Sequence, residues 1–266
     1  MPRRLGQHFL RNTSALQLIA TTLHPAANEV LIEIGPGHGE LTRVLRSANA
    51  QVKIVAIEKD TVLAKRLEKD FEDDGGIKIL EGDVLASLPV LTLKPEFRDR
   101  NYKIVGNIPY YITGHLFRIV GELENKPTRC VFTVQKEVAL RVCAMPPHMN
   151  RLAASIQSWA DVKIIKTLDQ NDFSPPPKVV SAIVLLELKP TVIKNVIYDA
   201  AIHALFAQPR KTIINNLLAS TKQDRKVLLT RLSALGIAGN DRPQVLSVDR
   251  ISSIAKIFFS NHRPEA

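Results

Sequence analysis

Along the first 190 residues, apolar positions fall into short, nearly continuous runs separated by stretches in which they recur every three or four positions. The runs Val30–Ile34, Val52–Ile57, Lys78–Leu80, Tyr102–Val105, Cys130–Val134 and Ser181–Leu188 predict strands. The periodic stretches Gly39–Ser47, Val62–Phe71, Thr113–Leu123 and Lys136–Cys143 predict helices between most of them. Apolar strands alternating with helices predict a mostly parallel, doubly wound α/β sheet. After Lys189-Pro190 the pattern changes. Ile193–Ala207, Thr212–Ser220, Gln223–Leu235 and Val248–Ser260 carry helical periodicity with little strand signal. The chain therefore divides into a sheet domain, 1–189, and a small all-helical domain, 190–266.

Composition narrows the classes. A chain of 266 residues with 45% hydrophobic and 23% charged positions has the make-up of a globular protein able to bury a proper core. No apolar run approaches the roughly 18 residues needed to span a bilayer. The N-terminus enters motif-like sequence with no apolar signal region, so a cytoplasmic location is expected. Cys130 and Cys143 lack metal-ligand spacing, and Cys130 sits in a strand-like run as a small core residue. The seven histidines show no paired ligand spacing, and no metal is expected. Net charge is +10, which favours a polyanionic partner. Residues 191–266 hold 11 basic against 5 acidic residues, and the first 190 hold 25 against 21, so the helical domain is the more basic per residue.

Two segments carry the candidate chemistry, and each follows a strand, where an open α/β sheet binds ligands. The first is Glu33-Ile34-Gly35-Pro36-Gly37-His38-Gly39. Gly35 and Gly37 permit a tight turn with close backbone approach to a ligand, and Gly39 opens the next helix. Its spacing, G-P-G-x-G, disfavours the pyrophosphate cradle of a nicotinamide dehydrogenase, which uses G-x-G-x-x-G. S-adenosylmethionine has no pyrophosphate and needs room for its methionine portion and ribose. Glu58 closes the next strand, where a carboxylate would accept both ribose hydroxyls. Asp83, after the third strand, would accept from the cofactor's adenine amino group.

The second segment is Asn107-Ile108-Pro109-Tyr110. The exocyclic amine of adenine is a poor nucleophile because its lone pair is delocalised into the ring. Two acceptors, the Asn107 side-chain oxygen and a backbone carbonyl near Ile108, would bind both amine protons and aim the lone pair at a methyl group. Pro109 fixes the turn, and Tyr110 offers a face on which the base stacks. Methyl transfer from S-adenosylmethionine to the amino group of a nucleobase follows, with alignment supplying much of the rate.

Taken together, these segments resemble the KsgA family of ribosomal RNA adenine dimethyltransferases, nearly end to end. Gly6-Gln7-His8-Phe9-Leu10 is similar to that family's N-terminal cofactor motif; Glu33 to Gly39 with Leu41-Thr42, then Glu58, Asp83 and Asn107 to Tyr110, follow its central motifs in order. The resemblance implies a Rossmann-like, S-adenosylmethionine-dependent methyltransferase sheet followed by the helical domain. It implies cofactor contacts from His8, Leu10, Gly35, Gly37, Glu58, Asp83 and Asn107. It gives Phe173, in Asp172-Phe173-Ser174-Pro175-Pro176-Pro177, the role of stacking on the target base opposite Tyr110. It also implies the substrate: two adjacent adenosines near the 3′ end of small-subunit ribosomal RNA, each converted to N6,N6-dimethyladenosine, so the RNA and the assembling small subunit are the expected partners; nothing suggests an obligate partner helix, and a monomer is expected.

The arm residues Arg3, Arg4 and Arg11, and Arg210, Lys211, Lys222, Arg225 and Lys226 of the helical domain, are the expected phosphate contacts. The Erm type, which methylates one adenosine of large-subunit RNA, is the nearest rival. Phe206-Ala207-Gln208-Pro209-Arg210-Lys211-Thr212 and Arg242-Pro243-Gln244-Val245-Leu246-Ser247 resemble the KsgA tail instead. A nucleic-acid-binding factor that keeps the fold without catalysis is a rival of another class, disfavoured by the intact Asn107–Tyr110 segment. The chain departs from the family pattern at His8, where Asn is more usual, at Pro209, a position commonly basic, and in a shortened segment 145–152.

Overall fold

A computed structural model describes residues 8–98, 101–193 and 195–260. They form two compact units, each with its own core. The first comprises residues to Ala139 together with Asp161–Leu188, and the second Leu140–Ala160 together with residues from Lys189 onward.

The first unit opens with β1 (Phe9–Leu10) and α1 (Thr13–Leu23). A regular alternation follows: β2 (Val30–Ile34), α2 (Glu40–Ala48), β3 (Lys53–Glu58), α3 (Thr61–Asp70), β4 (Ile77–Glu81), α4 (Val84–Leu91), α5 (Pro95–Arg98), β5 (Tyr102–Asn107), α6 (Thr113–Glu122), β6 (Arg129–Gln135) and α7 (Lys136–Val142). After α8 (Arg151–Gln157) come β7 (Ala160–Leu168), β8 (Phe173–Ser174) and β9 (Ser181–Leu188). Seven strands make one sheet in the order β4-β3-β2-β5-β6-β9-β7, and β1 pairs with β8 in a separate two-stranded ribbon. The five strands from β4 to β6 are parallel, and β9 runs antiparallel to β6. Parallel order that reverses at β2, with an antiparallel strand next to β6, is the Rossmann-like, doubly wound sheet that the sequence predicts.

Burial explains which strands the pattern revealed. Every residue of β2 is buried, and β3 and β5 are nearly so, which is why they read as unbroken apolar runs. Cys130 on β6 is fully buried, and burial pushes its thiol pKa up. The edge strand β7 alternates exposed and half-buried positions and gave no such run. The helix α4 carries Pro89 and was not predicted. Asp83 caps it, its Oδ1 accepting from Leu85 N at 2.9 Å.

The second unit contains α8 and α9 (Val196–Leu205), α10 (Ile213–Thr221), α11 (Arg225–Ala234) and α12 (Val248–Phe258). Its core gathers Tyr198, Leu205, Ile213, Leu217, Leu228, Leu232, Ile251 and Ile254. Residues 140–160, which the sequence division placed in the sheet domain, cluster here instead. The cause is local: Met149, Ala153 and Ala154 are buried in this core, and the Tyr198 hydroxyl donates to Ala154 O at 3.1 Å.

Gly106, on β5, is crowded by the neighbouring β2. A Cβ there would lie 2.5 Å from Ile34 O and 3.1 Å from Ile108 Cδ1, so the residue beside the glycine turn tolerates no side chain. Gly106→Ala is expected to destabilise the protein by roughly 1–3 kcal/mol through overpacking against backbone. Urea unfolding checks this, and an unchanged midpoint would show that β2 and β5 separate freely.

Candidate active site

An open cleft lies at the carboxyl ends of β2, β3 and β5. Register creates it. Ile34 is level with Ile57 on one side and Gly106 on the other, so the segments leaving the three strands emerge side by side. Its walls include His8, Phe9, Gly35, Gly37, Glu58, Asp83 and the segment from Asn107 to Tyr111. All but two of the predicted cofactor and base-contact residues, Leu10 and Phe173, thus meet in one place.

Gly35 and Gly37 have φ of 63° and 64°, in the region that disfavours side chains. At Gly37 a second constraint applies: a Cβ would lie 2.6 Å from the Phe9 ring. The glycine therefore lets the N-terminal strand close over the turn. Glu58 stands behind that turn, 3% exposed. Its Oε2 accepts from Gly37 N at 3.1 Å and its Oε1 from Asp60 N at 2.9 Å. Burial raises its pKa, and the backbone donors of Asp60, Gly37 and Lys59 oppose the rise. The carboxylate keeps acceptor capacity beyond these bonds.

Asp83 is engaged twice, by its cap bond and by Lys59, whose Nζ donates to Oδ2 at 2.7 Å. The hydrogen bond from Lys59 is the main reason its pKa is lowered. Asn107 donates from Nδ2 to His8 O at 2.6 Å, which leaves Oδ1 as the acceptor of its amide. Ile108 is 1% exposed and donates its N–H to Thr133 O, which leaves its carbonyl as the polar group not engaged by that bond. The Pro109 carbonyl accepts from Ile112 N at 3.1 Å. The Tyr110 hydroxyl shares a 2.7 Å hydrogen bond with Ser181 Oγ, and burial raises the phenol's pKa.

Phe173, expected opposite Tyr110, does not line this cleft. It is 4% exposed, packs in the core with Leu10 and Leu16, and forms no part of the cleft wall. Pairing of Leu10 with Phe173 in the β1–β8 ribbon turns both side chains inward. Leu10 likewise reaches only a small recess of about 330 Å³ beside the turn, with Glu33, Gly35 and Asn107.

Arg3 and Arg4 lie outside the described residues. Arg11 is exposed, as are Arg210, Lys211, Lys222, Arg225 and Lys226. Among the described residues, no salt bridge involves any of these six. Arg210 and Lys211 sit in a loop held by the buried Asn216, whose Nδ2 donates to Gln208 O while its Oδ1 accepts from Gln208 N. Lys222 is the left-handed C-cap of α10, and Arg225 and Lys226 open α11. No group of three or more His, Cys, Asp or Glu side chains among the described residues is placed to hold a metal. No described helix is long and apolar enough to cross a membrane.

The family described as "Ribosomal RNA adenine dimethylase" matches residues 2–259. The chain belongs to the ribosomal RNA adenine dimethylase family. Ribosomal RNA small subunit methyltransferase A of Pelotomaculum thermopropionicum is 34% identical, over 97% of this chain and 91% of that protein. The protein of the same name from Dehalococcoides mccartyi strain 195 is 32% identical, over 97% and 88%. In fold, the chain is similar to a dimethyladenosine transferase from Plasmodium falciparum, with TM-score 0.77 and 22% identity over 96% of this chain and 98% of that one. It is also similar to the 23S rRNA methyltransferase ErmE, with TM-score 0.74 and 23% identity over 94% and 99%.

In this dimethylase the sequence reading passed over Lys59, Ser181 and Glu33 as site residues. The signal for Lys59 was its place beside Glu58; Ser181, distant in sequence, gave none. Glu33 is 1% exposed, and its Oε2 is buried without a hydrogen-bond partner. Burial pushes its pKa up from 4.5 to about 7; the neighbouring Thr42 hydroxyl opposes the rise, and the charges of Glu58 and Glu40 add to it. A raised carboxyl pKa means the folded state holds the proton more tightly. Stability from this group is therefore full below about pH 4.5 and falls as pH rises towards 7. The loss is at most on the order of 3 kcal/mol. Glu33→Gln, which cannot ionise, is expected to gain melting temperature over the parent at pH 8 relative to pH 5. A difference independent of pH would show that Glu33 is charged throughout.

Proposed function

We propose that this protein transfers methyl groups from S-adenosylmethionine to N6 of two adjacent adenosines near the 3′ end of small-subunit ribosomal RNA. Each becomes N6,N6-dimethyladenosine, a step in ribosome biogenesis carried out in the cytoplasm by a monomer on the assembling subunit. The observation that carries this reading is the shared cleft. The glycine turn, the Glu58 and Asp83 carboxylates and the Asn107–Tyr110 segment face one space. The small-subunit names of the relatives support the choice of RNA.

The residues present fit the cofactor. The unpartnered, fully buried Oε2 of Glu33 and the recess beside Gly35 suit the ammonium of a methionine moiety. Glu58 retains acceptor positions for ribose hydroxyls, and Asp83 lines the cleft where an adenine amino group would donate. Gly35 and Gly37 bring backbone close with no Cβ between. Bound there, S-adenosylmethionine supplies a methyl group on a positively charged sulfur.

The protein's own contribution is orientation. With its nitrogen held by His8 O, Asn107 presents Oδ1 as an acceptor for one proton of the target amine. A backbone carbonyl of the Ile108-Pro109 turn accepts the other. Two acceptors localise the nitrogen lone pair and aim it, which lowers the barrier by alignment. Tyr110 supports the base by stacking, its ring angle set by Ser181. Sequence-specific RNA proteins take unstacked bases from loops in this way. The exposed Arg11 and the exposed cations of the helical unit serve the phosphates.

The test is transfer of labelled methyl from S-adenosylmethionine to small ribosomal subunits lacking the dimethyladenosines, with naked large-subunit RNA in parallel. Label on two adjacent adenosines near the small-subunit 3′ end is expected; label on large-subunit RNA alone would refute the choice of substrate. Asn107→Ala is expected to lower turnover about 100-fold or more, the scale of losing one preorganised polar contact to a reacting group. Near-normal turnover in that variant would remove Asn107 from the mechanism. Glu58→Ala is expected to weaken cofactor binding by roughly 1.5–3 kcal/mol. Calorimetry checks it, and unchanged affinity would overturn the ribose assignment.

A further inference from the structure

The two carboxylates of the cleft are held in different ways. Glu58 takes its donors from backbone N–H groups and forms no salt bridge among the described residues. Asp83 instead faces a cation, with Lys59 Nζ 2.7 Å from its Oδ2. Of the salt bridges among the described residues, this is the one whose partners both line the cleft.

Register brings the pair together. Glu58 is level with Glu81, and Gly82 N donates to Glu58 O at 2.8 Å, so Lys59 and Asp83 leave adjacent strands side by side. Oδ1 of Asp83 accepts from Leu85 N at 2.9 Å and Oδ2 from Lys59, so the carboxylate is held at both oxygens. Among the described residues Oδ2 has no other donor, and its direction is set by Lys59 alone. The lysine and aspartate side chains are 50% and 37% exposed. An ion pair so open to water adds little to stability. Its effect is on geometry: it fixes the carboxylate at the wall where the base of a nucleoside cofactor would lie.

We propose that Lys59 is a positioning residue for the cofactor's adenine, holding the Asp83 carboxylate in the orientation that accepts from the 6-amino group. This rests on the S-adenosylmethionine reading above, and it adds a determinant of specificity for the amino group. An ionised carboxylate only accepts hydrogen bonds. Held in one direction, it favours a base with a donor at the 6-position and disfavours one with a carbonyl there, because two acceptors would then face each other. Left to rotate, the same carboxylate discriminates less.

Calorimetry with two ligands tests this: S-adenosylhomocysteine, which carries the 6-amino group, and S-inosylhomocysteine, which carries a carbonyl in its place. Lys59→Met removes the ammonium and keeps an unbranched side chain; Lys59→Arg keeps a donor for Asp83. Asp83→Asn, alone and combined with Lys59→Met, keeps a residue able to cap α4. We expect Lys59→Met to bind S-adenosylhomocysteine about fivefold more weakly, the scale of coupling within one hydrogen-bond network. Its affinity for S-inosylhomocysteine should stay within about twofold of the parent, and Lys59→Arg should restore both. In the Asp83→Asn background Lys59→Met should have no further effect, since Lys59 acts through Asp83. An equal loss for the two ligands, a loss that persists without the Asp83 carboxylate, or no loss in Lys59→Met would each overturn the proposal. If the parent itself binds neither ligand, or binds both alike, the cofactor reading fails first, and the proposal falls with it.

Discussion

Parallel pairing of β2 with both of its neighbours is the constraint on which the site depends. Because Ile34 is level with Ile57 and with Gly106, three chain reversals leave the sheet along one edge. The glycine turn follows β2 directly, and Glu58 and Asn107 are the last residues of β3 and β5. A shift of one residue in either pairing would turn every side chain of that strand to the opposite face. The register is protected from within: Gly106 allows a contact with Ile34 O that no other residue could make.

A second level of organisation is the short ribbon β1–β8. Its strands are only two residues long, and burial of Leu10 and Phe173 in the core holds them in place. The ribbon brings backbone from residue 8 to the Asn107 amide and lays Phe9 across Gly37. One segment thus touches both the cofactor turn and the target-base turn. Buried carboxylates complete the arrangement. The Glu58 charge adds to the rise in the Glu33 pKa, a layout suited to a cationic ligand.

The helical unit follows different physics. Its interior is ordinary apolar packing, while Arg210, Lys211, Lys222, Arg225 and Lys226 sit at helix ends and in one loop, exposed and outside any salt bridge among the described residues. Asn216 matters most to that loop, since its amide replaces backbone partners that the turn at Gln208 would otherwise lack. Such positions show in a sequence only as one polar residue within an apolar stripe.

The parallel strands, the main helices and the residues at each strand end were legible in the sequence. Continuous apolar runs report burial on both faces, and glycine, proline and acid positions report turns. The change of texture after Lys189 marked the helical region, but residues 140–160 belong to its core by long-range packing that no local pattern expresses. The edge strand β7 and the proline-containing α4 escaped for local reasons: the first is half exposed, the second interrupted. Tertiary structure alone decided which aromatic meets the cleft. Phe173 and His8 both flank polar motifs, and nothing local distinguishes a ring that faces the core from one that faces a ligand. The pairing of β1 with β8 made that choice, turning Phe173 inward and leaving His8 beside Tyr110. Sequence determines which chemistry is available at each strand end; the contacts between distant segments determine which of those groups face one another.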